Sequence, residues 1–239
     1  MITPPPEELA SASDAGLQHD RLVQQVVPGY ASLARLGVAL LAASPLGARP
    51  GARVLVAGCG TGAELLEARH QCPDWQLTAL DPSEAMLAAA RRRLHDQPGI
   101  HWQASTVEQL ACGDPHDGAL AVLVLQALPD DGSKLAFLTA LARQLKPGAQ
   151  ALLVDLAEPE RSALQAQLRQ ARLGYQRASG LDVDPQSPPQ LSQAVHPIGA
   201  SRLTALVDAA GFGDPARIFQ ALDVEGYLMQ RRDGPAATR

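Results

Sequence analysis

The chain has 239 residues, 46% hydrophobic and 19% charged, with a formal net charge of −5. This length and balance fit one large globular domain with a buried core, and exclude a collagen-like or low-complexity chain. Acidic charge with only 3% aromatic residues lacks the positive groove and stacking rings that usually hold single-stranded nucleic acid, so a nucleic-acid partner is disfavoured.

The first 16 residues are Pro-rich and read as a disordered tail. Met1–Glu8 has no basic segment followed by an apolar core, so it does not read as a signal peptide. Leu17–Ala43 has a helical pattern broken at Pro28-Gly29, which predicts two helices, the second over Tyr30–Ala43. Its apolar stretch, Leu33–Leu41, is interrupted by Arg35 and is too short to span a bilayer. Residues 17–232 are thus expected to form a single domain, with 17–50 as its helical cap.

A strand–helix rhythm follows. Arg53–Ala57 is a short apolar strand running into Gly58-Cys59-Gly60-Thr61-Gly62, then a helix to about Gln71. Trp75–Leu80 is a second strand ending at Asp81, and Pro82-Ser83-Glu84 opens a helix to about His95. Ile100–Ala104 is a third strand, with a short helix over Val107–Leu110. Ala119–Val124 is almost wholly apolar and predicts a strand covered on both faces. Asp130–Leu145 is helical and stops at Lys146-Pro147-Gly148, and Ala151–Leu156 is a fifth buried strand. Glu158–Leu173 is an amphipathic helix, and Ser179–Gly199 is a polar, Pro-rich insertion with the character of a lid. Ser201–Ala210 is helical, and Ala216–Gln220 and Asp223–Met229 are closing strands. The alternation implies an α/β fold: a Rossmann-like doubly wound sheet, mostly parallel, with an antiparallel closing strand.

The glycine loop carries the chemistry. Glycines let backbone pass close to a ligand, and the helix that starts at once turns free N–H groups toward it. The spacing is G-x-G-x-G rather than the G-x-G-x-x-G of dinucleotide folds, which argues against a nicotinamide-dependent oxidoreductase. The alternative is a plain tight turn. Asp81, nineteen residues after Gly62, stands where a carboxylate accepts both ribose hydroxyls of an adenosyl group, or alternatively caps the next helix. Ser105, Thr106 and Val107 follow the third strand and either hold an adenine or cap a turn. Leu125 and Gln126 follow the fourth strand, and Gln126 faces either substrate or the side of a helix. The histidines have no metal-ligand spacing and no G-x-S-x-G elbow is present, so no metal and no hydrolase triad are expected. Cys59, Cys72 and Cys112 form no CxxC pair, which suits a reducing cytoplasm.

Together, Val54–Gly62, Leu80–Leu87 and Leu145-Lys146-Pro147-Gly148 resemble three motifs of class I S-adenosylmethionine (SAM)-dependent methyltransferases. Within that superfamily the chain is similar to the bacterial tRNA uridine-5-oxyacetate methyltransferases, which use carboxy-SAM, and to their relatives. Val27-Pro28-Gly29-Tyr30, Tyr175–Ala178 and Asp208–Phe212 carry that likeness. The resemblance implies SAM as cofactor and S-adenosylhomocysteine as product. It implies a binding site of Tyr30, Ala57, Gly58, Cys59, Gly60, Gly62, Asp81, Pro82, Met86, Ser105, Thr106, Val107 and Leu125, with Gln126 and Tyr175 on the substrate side. Dimerisation enters by resemblance alone. The family usually has Asp or Glu where this chain has Ala57, which raises a non-catalytic SAM-binding protein as one alternative. The carboxy-SAM enzymes use an arginine where Pro185–Leu191 has none, and an asparagine where this chain has Val122. A small-molecule acceptor is therefore expected ahead of tRNA.

Overall fold

The structure is a computed structural model that describes residues 18–95, 97–111, 113–158, 162–183, 195–213 and 215–233. The expected tail and residues 184–194 of the expected lid lie outside the described residues.

Helices α1 (Gln18–Val26) and α2 (Tyr30–Ala42) meet at a 91° bend over Pro28-Gly29. No single helix among the described residues is long and apolar enough to cross a membrane; α1 and α2 would pass only as a bent pair, and α2 buries Leu33, Val38 and Leu41 in the core. Then come β1 (Arg53–Ala57), α3 (Ala63–Gln71), β2 (Gln76–Leu80), α4 (Glu84–Arg93), β3 (Ile100–Gln103) and β4 (His116–Val122). These are followed by α5 (Ser133–Arg143), β5 (Leu145–Leu156), α6 (Gln165–Ala178), α7 (Ala200–Ala209), β6 (Ala216–Ala221) and β7 (Val224–Gln230). Single 3-10 turns occupy Val107–Gln109 and Leu125–Ala127.

The seven strands lie in the order β3-β2-β1-β4-β5-β7-β6. β1 through β5 pair in parallel, and β7 runs antiparallel to both β5 and β6. Strand order reverses between β1 and β4, which opens a crevice at their carboxyl ends. Alternate residues feed two cores. Val54 and Val56 pack toward α1–α4 with Leu33, Leu41 and Leu65. Leu55 and Ala57 pack toward α5 and α7 with Phe137, Leu141 and Leu206.

Several boundaries differ from expectation, each for a local reason. β4 begins at His116, whose backbone N–H donates to Gln144 O at 2.7 Å, and ends at Val122 because Leu123 turns to φ 59°. α5 starts only at Ser133, because Asp131 Oδ1 accepts the Ser133 N–H and Gly132 sits at φ 110°. Lys146-Pro147-Gly148, expected as a helix stop, belongs to β5. Its register against β4 slips from His116↔Leu145 to Gly118↔Gln150, and the extra β5 residues bulge. α6 was expected from Glu158, but Ala157 bridges to Ile198 and the Glu158 N–H donates to Ile198 O, keeping the chain extended there. The helix instead runs on to Ala178, where Tyr175 and Gln25 tie its end to α1.

Candidate functional site

A cavity of about 320 Å³ opens at the carboxyl ends of β1, β2 and β4, roofed by His19 and Val23 of α1 and Tyr30 of α2. That is the low end of the range for small-molecule sites, roughly 300–1,000 Å³, at the position where open α/β sheets take ligands.

The loop after β1 forms one wall. Gly58, Gly60 and Gly62 all have positive φ, at 69°, 49° and 84°. Gly62 caps α3, and a Cβ there would meet Leu94 Cδ1 at 2.9 Å, so its smallness serves the packing of α3 on α4. A Cβ at Gly60 would meet nothing within 4 Å. The Gly60 N–H donates to Asp81 Oδ2 at 2.9 Å, and the Ser83 N–H donates to Asp81 Oδ1 at 2.8 Å. The carboxylate at the end of β2 thus ties the loop to the start of α4. The helix cap itself is Ser83, whose Oγ accepts the Met86 N–H, not Asp81.

The far wall is built by β3 and β4. Ser105, Thr106 and Val107 line it after β3, and Ser105 Oγ is buried with no partner among the described residues. Thr106 and Gln109 form a capping box, so capping and lining coexist in one turn. After β4, Leu123 holds a left-handed φ of 59°, which costs a non-glycine residue about 1–2 kcal/mol. The following turn is pinned from behind. Asp155 of β5 accepts the Leu125 and Gln126 N–H groups at 2.6 and 2.9 Å, and Lys134 Nζ donates to Leu125 O at 2.5 Å. Burial pushes the Asp155 carboxyl up to about 7 and lowers Lys134. Gln126, 3% exposed, lines the cavity; its Nε2 donates to Leu123 O, and its Oε1 has no partner among the described residues. The His196 N–H, just beyond residue 194, donates to Gln126 O at 2.7 Å.

Glu64, in the first turn of α3, also lines the cavity and is 5% exposed. Desolvation pushes its carboxyl up to about 7, against smaller lowering effects of its own backbone N–H and of Arg93. Arg93 is engaged elsewhere, pairing with Asp20 of α1 at 2.8 Å, and Asp20 also accepts from Thr61 Oγ1. Burial, chiefly, raises the Tyr30 hydroxyl and the Cys59 thiol, with Glu64 adding to both, so both stay neutral at physiological pH.

The structure therefore gathers Tyr30, Ala57, Gly58, Cys59, Gly60, Asp81, Pro82, Met86, Ser105, Thr106, Val107 and Gln126 around one cavity. Three expected residues fall elsewhere. Gly62 packs against α4, as described above. Leu125 is buried in the α5 core, turned inward because its N–H is held by Asp155. Tyr175 lies on α6, where its hydroxyl donates to Gln24 O at the outer side of α1. Sequence reasoning missed Glu64, Thr61, Leu123 and Phe137, which also line the cavity. Glu64 carried no distinctive sequence signal, since an acid in the first turn of a polar helix is the ordinary complement to its dipole.

A family described as a methyltransferase domain matches residues 54–148. The chain is 45% identical over 111 residues to trans-aconitate 2-methyltransferase of Methylobacterium nodulans, covering 46% of this chain and 39% of that protein. It is 30% identical over 172 residues to carboxy-S-adenosyl-L-methionine synthase of Trichlorobacter lovleyi, covering 66% of each. The chain thus spans from well under half to about two thirds of the length of these relatives. In fold it is similar to magnesium protoporphyrin IX methyltransferase of Synechocystis PCC 6803, solved with bound S-adenosylhomocysteine. That similarity has a TM-score of 0.65 at 17% identity, covering 92% of this chain and 95% of the other.

Proposed function

The chain belongs to the class I SAM-dependent methyltransferase superfamily, and from that premise we propose that it transfers a methyl group from SAM to a small-molecule acceptor. The observation that carries this reading is the hydrogen bond from Gly60 to Asp81, which brings the glycine loop and the β2 carboxylate to one cavity.

The residues present fit the cofactor. Asp81 would accept from the ribose hydroxyls, Ser105–Val107 would hold the adenine, and the bare backbone at Gly60 leaves room for the chain of the ligand. Among the described residues, three carboxylates (Glu64, Asp81 and Glu108) and no Lys or Arg line the cavity, which suits a ligand carrying positive charge. SAM, when bound, supplies a methyl already activated on a sulfonium. The protein must then align the acceptor in line with it and exclude water; such positioning can contribute about 7–11 kcal/mol to lowering a barrier. Tyr30, Val23 and Phe137 supply the apolar cover, and the orphan Oε1 of Gln126 would accept a hydrogen bond from the acceptor.

The relative named for methylation of trans-aconitate supports a small acceptor. Among the described residues no Lys or Arg lines the cavity to pair with a second carboxylate, which argues against carboxy-SAM. Calorimetric titration with SAM and with S-adenosylhomocysteine tests the reading. Micromolar binding of both is expected, and no binding of either at millimolar concentration would overturn it.

A further inference from the structure

A buried carboxylate without a counter-charge is costly, and such a group points to a cationic ligand. Glu64 is 5% exposed and lines the cavity. Among the described residues its carboxylate accepts only from its own backbone N–H, and no Lys or Arg lies within ion-pair distance of it. The nearest cation, Arg93, is drawn off by Asp20. The other two carboxylates of the cavity are differently placed. Asp81 spends both oxygens on Gly60 and Ser83, and Glu108 is exposed. β1 itself, Arg53-Val54-Leu55-Val56-Ala57, brings no acid to its carboxyl end.

Building on the proposed function, we infer that Glu64 is the group that receives the α-ammonium of the methionyl part of the ligand, delivered from the first turn of α3 rather than from the end of β1. The position agrees with this. Glu64 lies two residues beyond Gly62 and lines the cavity near enough to Tyr30 to act on its hydroxyl electrostatically. An ammonium there completes a pairing that the folded chain leaves open. Because burial holds the carboxyl near 7, binding an ammonium ionises it and releases a proton at mildly acid pH. The titratable groups that act on or with Glu64 are Asp20 from α1, Tyr30 from α2, Cys59 from the loop and Arg93 from α4, and His19 of α1 lines the same cavity.

The experiment compares S-adenosylhomocysteine, which carries the amino-acid group, with 5′-methylthioadenosine, which lacks it, by calorimetry on the full chain and on Glu64→Gln. We expect the variant to lose about 10- to 100-fold in affinity for S-adenosylhomocysteine, the effect of removing a charge-assisted hydrogen bond, while its affinity for 5′-methylthioadenosine stays unchanged. Equal loss for both ligands, or loss for neither, overturns the role of Glu64 and leaves the methyltransferase reading standing. Failure of the unaltered chain to bind either ligand sinks both. Should Glu64→Gln not fold, the unaltered chain still decides. Its preference for S-adenosylhomocysteine over 5′-methylthioadenosine must fall about tenfold between about pH 7 and about pH 5.5, and a preference independent of pH overturns the assignment.

Discussion

The backbone N–H of Gly60 and the carboxylate of Asp81, twenty-one residues apart, meet at 2.9 Å and so weld the loop after β1 to the end of β2. Asp81 also accepts the Ser83 N–H, and with 8% exposure it works largely out of water. Charge-assisted bonds of this kind are about twice as strong as neutral ones. The loop that walls the cavity is thus tied to the end of β2 by the side chain that is also proposed to bind the ribose.

Asp81→Asn keeps the shape but removes the charge and one acceptor. We expect a stability loss of about 1–3 kcal/mol, read by urea unfolding, together with at least about tenfold weaker binding of S-adenosylhomocysteine. Unchanged affinity in a folded variant would remove Asp81 from the ligand site.

Gly60 and Gly62 separate the two uses of a glycine. Gly62→Ala places a methyl 2.9 Å from Leu94 and 3.1 Å from Ala90 at φ 84°, and is expected to cost about 1–3 kcal/mol of stability. Gly60→Ala meets no protein atom within 4 Å and adopts a φ of 49°, so its stability cost is expected to be about 1 kcal/mol while its ligand affinity falls. Thermal unfolding and calorimetry on the pair check this. A stability loss at Gly60 larger than that at Gly62 contradicts the assignment.

Asp155→Ala strips the acceptor from two buried N–H groups, those of Leu125 and Gln126. Leaving buried donors unpaired costs about 1–3 kcal/mol each, so a loss of roughly 2–4 kcal/mol is expected. Methyl transfer should also fall, because the turn that presents Gln126 loses its anchor. Normal stability in the variant would show that water satisfies the turn and that Asp155 is dispensable.

Stability should decrease as pH rises from about 4 to about 7. Glu64 and Asp155 have carboxyls raised from 4.5 and 3.8 to about 7, so the folded chain keeps protons that the unfolded chain has released. Their contribution is full below the unfolded values and is lost as pH climbs through 7. Asp130 and Asp131 are shifted the other way, by Arg202 and Ser133 respectively, and their window lies below 3.8. Burial lowers the His116 imidazole from 6.5, which opposes the slope within the window, so the expected decrease is that of two carboxyls set against one imidazole. Urea unfolding at several pH values measures the slope, and Glu64→Gln should flatten it. A slope of the opposite sign across this window contradicts the burial of both groups as described.

The parallel sheet was legible because each of its inner strands is a short apolar run between turn residues. Val54–Ala57 and Ala119–Val122 needed no partner to be recognised. Ends decided by tertiary pairing were not legible. Leu145–Ala149 joined β5 only because β4 lies beside it, and Glu158 stays extended because Ile198 pairs with it. The glycine loop and Asp81 could be read from spacing. Tyr175 was misplaced because its motif fixes a helix and not the face that helix presents. Glu64 was passed over because an acid in the first turn of a helix looks like ordinary complement to its dipole, and only packing reveals that this one is shut away from water.

β7 follows every other strand in the chain, yet it is inserted between β5 and β6. During synthesis the flank of β5 must therefore stay unpaired until residues 216–230 have emerged from the ribosome. Until that final hairpin forms, β5 is an open edge strand whose backbone groups from Gln150 to Leu156 have no partner on that side.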